Sequence, residues 1–210
     1  MEGGSQYGFY FDSTRCTGCK TCVLACKDYK GIDADEAFRR VLDYEGGEWS
    51  AGPNGTWEQT AFVYHLSLSC NHCGNPVCTM VCPTGAMHKD AETGLVLVDG
   101  LVCVGCGYCE LSCPYHAPKV SSMLHRSTKC DGCRDRLREG KAPICVEACP
   151  LRALEFGEYA KLRRRPGTVS AVAPMPDSAA TAPHIAIRPC GCACPPGDFT
   201  TGHIANELEL

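Results

Sequence analysis

The sequence predicts an α+β fold of two pseudo-symmetric halves followed by an irregular C-terminal tail. Three observations carry this expectation. Sixteen of the nineteen cysteines fall into four groups of four along a chain of 210 residues. Short extended segments precede three of those groups. Prolines and glycines crowd the last fifty residues, where they interrupt both helix and strand.

The first group is Cys16, Cys19, Cys22 and Cys26, spaced C-x2-C-x2-C-x3-C. The second is Cys70, Cys73, Cys78 and Cys82, spaced C-x2-C-x4-C-x3-C. The third is Cys103, Cys106, Cys109 and Cys113, with the spacing of the first. The fourth is Cys130, Cys133, Cys145 and Cys149, with a longer central loop. Pro83, Pro114 and Pro150 follow three of the trailing cysteines, whereas Lys27 follows Cys26. The run C-x2-C-x2-C-x3-C-P is the bacterial ferredoxin signature, in which the trailing cysteine serves the other cluster of a pair. Three thiolates at two-residue gaps wrap one cuboidal cluster, and a thiolate four residues on points away toward a neighbouring site. Proline suits that place because the first turn of a helix has spare N–H groups. Each half of the fold is therefore expected to be a bacterial-ferredoxin-like module holding two [4Fe–4S] clusters.

Composition narrows the alternatives. Lys and Arg number 20 against 24 Asp and Glu, a net charge of −4. No strongly basic face is expected, which argues against a nucleic-acid partner. No apolar run reaches the length of a membrane span; the richest, near Ala61–Ser69, is broken by His65 and serines. Met1–Ser5 lacks a basic region followed by an apolar core, so no secretory signal is read there. Cysteine at this density also suits a disulfide scaffold or structural zinc. Disulfide scaffolds are usually short secreted chains. Zinc ribbons use pairs of cysteines, not triplets with a trailing fourth.

The alternation of Tyr7, Phe9 and Phe11 reads as a strand before Cys16. Leu66–Ser69 and Leu95–Asp99 read the same way before Cys70 and Cys103. The recurrence looks like an internal repeat. Thr84–Met87 and Leu151–Leu154 read as turns leading into the next strand. Gly46-Gly47 and Gly52-Pro53-Asn54-Gly55 mark a loop, and Trp49 and Trp57 flanking it are expected to pack inward. Residues 161–210 are expected to form an extended tail, unlikely to fold alone, that lies on the surface or docks on a partner.

The residues between the cysteines carry a more specific resemblance. Arg15-Cys16-Thr17-Gly18-Cys19-Lys20-Thr21-Cys22, Ser69-Cys70-Asn71-His72-Cys73, Thr84-Gly85-Ala86-Met87-His88-Lys89, Lys129-Cys130-Asp131-Gly132-Cys133 and the run Pro143–Leu154 resemble the iron–sulfur subunit of dimethyl sulfoxide reductase and its close relatives. The resemblance runs from about Gln6 to the tail. It implies two halves, residues 5–60 with 124–160 carrying groups one and four and residues 61–123 carrying groups two and three, and four [4Fe–4S] clusters with ligands exchanged between groups. One set is Cys16, Cys19, Cys22 and Cys149, and the second is Cys26, Cys130, Cys133 and Cys145. The third is Cys70, Cys73, Cys78 and Cys113, and the fourth is Cys82, Cys103, Cys106 and Cys109. Some members of the wider group replace the second cysteine of the third motif and hold a three-iron centre; Cys106 is present here, so none is expected.

The resemblance also implies two partners. A molybdopterin catalytic subunit would reduce dimethyl sulfoxide or related S- and N-oxides, and a membrane anchor would oxidise quinol and feed electrons in. The chain would then be peripheral on the cytoplasmic membrane without inserting, on the outer face by co-export with its catalytic partner, the cytoplasmic face being the alternative. Relatives in the wider group serve polysulfide, thiosulfate, selenate, nitrate or formate enzymes, so the substrate stays open. A non-redox, zinc-stabilised interaction module is the competing class.

No dinucleotide, P-loop or serine-nucleophile motif is present, so the chain is expected to be a non-catalytic electron-transfer subunit. His72 and His88 lie near cysteines but are not needed as ligands, because sixteen thiolates complete four sites. Gly18, Gly105, Gly107 and Gly132 are expected to let the backbone approach a cluster. Lys20, Lys129 and Arg134 read as solvated surface charges. Cys190, Cys192 and Cys194 have one-residue gaps too tight for a cluster loop and read as spare thiols on a flexible tail.

Overall fold

The structure is a computed structural model and describes residues 5–33 and 36–209. The chain runs through β1 (Tyr7–Asp12), α1 (Thr21–Lys30), β2 (Arg39–Gly46), β3 (Trp49–Ala51), β4 (Trp57–Gln59) and β5 (Phe62–Ser69). It continues through α2 (Val77–Met80), β6 (Met87–Lys89), β7 (Val96–Val98), α3 (Tyr108–Ser112), β8 (Lys119–Ser121) and β9 (Arg126–Thr128). The last elements are α4 (Arg134–Arg138), α5 (Ile144–Glu147), β10 (Leu154–Glu158), α6 (Tyr159–Leu162), β11 (Ile185–Arg188) and β12 (Gly202–Ile204). The three extended segments expected before Cys16, Cys70 and Cys103 are β1, β5 and β7. The turns after Cys82 and Cys149 lead into β6 and β10.

β1 is the middle strand of a three-stranded sheet. It pairs antiparallel with β10, Phe9 opposite Phe156, and parallel with β11, Phe11 opposite Ile187. Phe9, Tyr10 and Phe11 are all buried because both faces of the strand are covered. Phe9 and Phe11 enter the main core, and Tyr10 packs on Tyr159, Leu162 and Ala186. Since β1 precedes group one and β10 follows group four, this ladder brings the first and last cysteine groups together. Lys30 at the end of α1 clasps the fourth-group loop, 3.1 Å from Asp131 and 3.2 Å from Asp135. Gly31 ends α1 at φ 57°, donating its N–H to the carbonyls of Asp28 and Lys27, a left-handed cap that glycine adopts without penalty.

β2 and β5 pair antiparallel over eight positions, from Arg39 opposite Ser69 to Gly46 opposite Phe62. This ladder crosses residue 60, so the two expected halves share a sheet. β6 and β7 form a hairpin, Met87 opposite Val98, between groups two and three, and β8 and β9 form another.

Two expectations need correction. Residues 161–210 do not form a surface tail: β11 and β12 join the two larger sheets, and Val172, Met175, Ile185 and Ile187 are buried in the main core. The proline-rich composition excluded long regular elements but not burial. Each large apolar side chain buried in this way contributes roughly 1.5–3 kcal/mol. The second correction concerns Trp49 and Trp57, which are each 67% exposed. They lie on one face of the β3–β4 hairpin, in which Ala51 stands opposite Trp57 and Trp49 opposite Gln59. All six strand residues of that hairpin are exposed, so no core reaches it.

Candidate iron–sulfur centres

Three of the four cysteine loops turn on glycine, and the second turns on His72 at φ 44°. Gly18 and Gly105 both sit at φ 68°. A Cβ at Gly18 would lie 2.7 Å from the His65 ring, and one at Gly105 would lie 2.4 Å from the His125 carbonyl oxygen. The loop is thus pressed against other protein on its outer side while its cysteines face inward.

The fold gathers the sixteen cysteines into four sets, each drawing on two groups. Cys16, Cys19, Cys22 and Cys149 line one small cavity, together with Phe11, Val41 and Leu154. Cys82, Cys103, Cys106 and Cys109 line a second small cavity, with Met87, Val98 and Ser127. Cys26 is flanked by Cys130, Cys145 and Cys133. Cys78 is flanked by Cys70, Cys113 and Cys73. In every set the fourth thiol arrives from a distant stretch of sequence.

Burial and crowding act together on these thiols. Burial pushes Cys16 up to about 11, opposed by the Gly18 N–H and reinforced by Cys22, Cys149 and Cys19. Burial pushes Cys73 up to about 12, against a hydrogen bond from Thr181, with Cys70 and Cys113 adding to the rise. Cys78 is likewise pushed up to about 12, by burial and then by Cys70. Buried thiols facing one another in this way resist ionisation, and a cation among them removes that resistance by taking the place of the protons. Such donors suit a bound metal centre.

Backbone N–H groups point at the sulfurs. Met87 N donates to Cys82 Sγ at 3.4 Å, Ser127 N to Cys103 Sγ at 3.3 Å, Gly132 N to Cys130 Sγ at 3.4 Å and Ala153 N to Cys149 Sγ at 3.3 Å. Ser67 Oγ lies 3.4 Å from Cys22 Sγ. The Thr21 hydroxyl, then its N–H, holds the exposed Cys19 below the ordinary thiol value. Such bonds favour the thiolate and tune whatever it ligates.

The buried polar atoms give an independent test of fit. Arg39 Nε, Asn71 Nδ2 and His72 Nε2 are buried and find no acceptor of good geometry in the protein. Asn71 and His72 lie in the Cys70–Cys73 loop, and the charges felt by Arg39 are those of Cys145, Cys22, Cys130 and Cys26. Donors so rarely left unmade are suited to sulfur acceptors of a cluster.

Sequence reasoning missed Arg39 and misplaced Lys129. Arg39 carries no motif; only its place opposite Ser69 in the ladder reveals it. Lys129, expected at the surface, is buried, its Nζ donating to the carbonyls of Val96 and Cys130. Arg134 pairs with Asp90 at 3.1 Å. The segment before β11 grips the second cysteine loop: Gly74 N donates to Ala182 O at 2.7 Å, His184 N to Asn71 O at 2.9 Å, and Tyr115 OH meets Thr181 Oγ1 at 2.8 Å. Cys190 and Cys192 sulfurs lie 3.1 Å apart, and Cys194 is buried beside Tyr64. These three thiols sit on a packed segment rather than a loose one, and none lines either cysteine cavity.

A 4Fe-4S dicluster domain family matches residues 61–159, and a second 4Fe-4S dicluster family matches residues 15–86. The B subunit of anaerobic dimethyl sulfoxide reductase from Escherichia coli (strain K12) is 55% identical over 206 residues, covering 98% of this protein and 99% of the relative. The corresponding B subunit from Haemophilus influenzae is 51% identical over 205 residues, with 98% and 99% covered. Protein NrfC of Escherichia coli (strain K12) is 37% identical over 155 residues, covering 73% of this protein and 66% of the relative. The protein therefore belongs to the family of anaerobic dimethyl sulfoxide reductase B subunits, [4Fe–4S] electron-transfer subunits with no catalytic site of their own.

Proposed function

We propose that this protein relays electrons through four [4Fe–4S] clusters from a quinol-oxidising membrane anchor to a molybdopterin catalytic subunit that reduces dimethyl sulfoxide or related S- and N-oxides in anaerobic respiration. The observation that carries the reading is the pair of cavities lined by four cysteines each, three from one group and the trailing one from another. The ligand sets are Cys16, Cys19, Cys22 and Cys149; Cys26, Cys130, Cys133 and Cys145; Cys70, Cys73, Cys78 and Cys113; and Cys82, Cys103, Cys106 and Cys109. The modules are residues 5–60 with 124–160, and residues 61–123.

Each cluster, when bound, accepts and releases one electron. The protein's part is spacing, exclusion of water and tuning. Neighbourhood supports a row. The charges that reach Cys145 of the second set include Cys22 of the first, and those that reach Cys130 of the second include Cys70 of the third. Sets one and four are then the ends, and each end has an exposed ligand, Cys19 and Cys106. Short tunnelling steps need such a sequence of centres, with outer ones accessible to partners.

Beside the fourth set Leu101, Val104, Leu111 and Met123 are exposed, an apolar surface of the kind that marks a protein interface. This favours the fourth set as the side facing the membrane anchor. Among the described residues no helix is long and apolar enough to cross a membrane, in keeping with a subunit held peripherally by its partners. Co-export to the outer face of the cytoplasmic membrane is the placement we favour.

Anaerobic preparation of the intact complex tests the reading. Iron analysis of this subunit is expected to find about sixteen irons, four per cube, with absorption that bleaches on reduction. Colourless, zinc-loaded protein would remove the relay. A panel of S-oxides, N-oxides and oxyanions, assayed by viologen oxidation, then identifies the terminal acceptor.

A further inference from the structure

Arg39 begins β2 and is 2% exposed. Its Nη1 donates to Ser67 O at 3.2 Å and Ser67 Oγ at 3.0 Å, and its Nη2 donates to Ser69 Oγ at 3.0 Å. Its guanidinium carbon lies 4.6 Å from the centre of the Phe9 ring. None of these partners is negatively charged. Its Nε–H has no protein acceptor of good geometry. Arginine stays ionised at any working pH, and a buried charge without a counter-charge is strongly disfavoured. Something anionic must therefore face it.

The surroundings identify that anion. The groups acting on Arg39 are Cys145, Cys22, Cys130 and Cys26, one from the first ligand set and three from the second. Ser67 connects it to Cys22, with Oγ 3.0 Å from Nη1 and 3.4 Å from Cys22 Sγ.

We propose that Arg39 is the internal counter-ion shared by the clusters of the first and second sets, a positioning residue whose fixed charge raises the reduction potentials of both. The proposal rests on the four-cluster ligation given above. Adding one electron to either cluster adds one negative charge beside the guanidinium, so the reduced form gains more from Arg39 than the oxidised form does. Because one cation faces two clusters, it also softens the repulsion between neighbouring reduced centres. The β2–β5 ladder holds the residue there: Arg39 stands opposite Ser69, and Val41 opposite Ser67.

The test uses the full-length protein in its complex, with Arg39→Gln, Arg39→Lys and the wild type reduced in steps and followed by electron paramagnetic resonance. The first- and second-set signals are those lost in Cys149→Ser and Cys130→Ser. Arg39→Gln is expected to lower the reduction equilibrium of both signals at least tenfold, or 59 mV for one electron, and to leave the other two in place. Arg39→Lys keeps the charge and is expected to recover most of the shift. Unshifted potentials in Arg39→Gln with full iron overturn the proposal. So does an Arg39→Lys shift as large as that of Arg39→Gln. Should Arg39→Gln fail to assemble, Arg39→Lys decides: full iron with nearly unshifted signals supports the counter-ion, and failure of both shows that the guanidinium shape matters rather than its charge. Wild-type iron far below four cubes would instead sink the ligation reading itself.

Discussion

His72 Nδ1 accepts the backbone N–H of Val96 at 3.0 Å, inside a site where His72 has no exposed surface. This bond requires an unprotonated Nδ1, so the ring carries its proton on Nε2. Burial holds the imidazole below its ordinary pKa. His72 also sits at φ 44°, and its carbonyl oxygen lies 2.7 Å from His184 Nδ1. Removing the ring leaves a buried Val96 N–H unpaired, at about 1–3 kcal/mol. His72→Phe is therefore expected to lower the thermal midpoint of the iron-loaded protein. His72→Asn, which keeps an acceptor and tolerates a left-handed backbone, is expected to restore at least half of the loss. Equal losses in the two variants would show that the Val96 bond is not the cause.

The ligand exchange makes a sharp spectroscopic prediction. Cys16→Ser and Cys149→Ser, 133 positions apart by number (149 − 16), are expected to remove or alter the same signal. Cys82→Ser and Cys106→Ser are expected to act together on a different one. If the members of either pair act on different signals, the exchange is wrong.

The weave of the last fifty residues predicts where mutations hurt. Ile187 is fully buried and faces Phe11 across the β1–β11 ladder. Ile187→Ala is expected to cost about 2–5 kcal/mol, as large-to-small core changes do. Trp49→Ala and Trp57→Ala, on the exposed hairpin, are expected to stay within about 0.5 kcal/mol. Denaturation of the three variants checks the contrast, and a large loss at either tryptophan would contradict the exposure of that hairpin.

Asp198 ties down the approach to β12. Its carboxylate accepts the N–H groups of Thr200 and Thr201 and both hydroxyls. The Thr201 hydroxyl and N–H, then the Thr200 N–H, hold its pKa down at about 2, against about 3.9 when free. A depressed carboxyl stabilises the fold above its free value, and that contribution fades as pH falls toward about 2. Asp198→Asn is therefore expected to speed amide exchange at Thr200, Thr201 and β12 at neutral pH. In the parent protein the same change is expected only as the medium approaches pH 2.

The cysteine loops were legible in the sequence because their geometry is local. Two- and three-residue gaps dictate where neighbouring thiols point, and Gly18 and Gly105 mark where the backbone turns left-handed. The strands Tyr7–Asp12, Phe62–Ser69 and Val96–Val98 showed through their apolar patterning. Trp49 and Trp57 misled because residue type states an average preference for burial, while their hairpin projects beyond any core that could cover it.

By itself the sequence determined that four compact thiol loops form, and that they favour iron cubes over zinc or disulfides. Tertiary structure decided what spacing within a loop cannot encode. The β1–β10 pairing brings Cys149 to the first loop, and the β2–β5 ladder buries Arg39 among two cysteine sets. The register with β11 draws a proline-rich segment into the core. These outcomes depend on contacts between residues far apart in the sequence, whose free energy comes from burial and pairing across sheets rather than from the preferences of any single stretch.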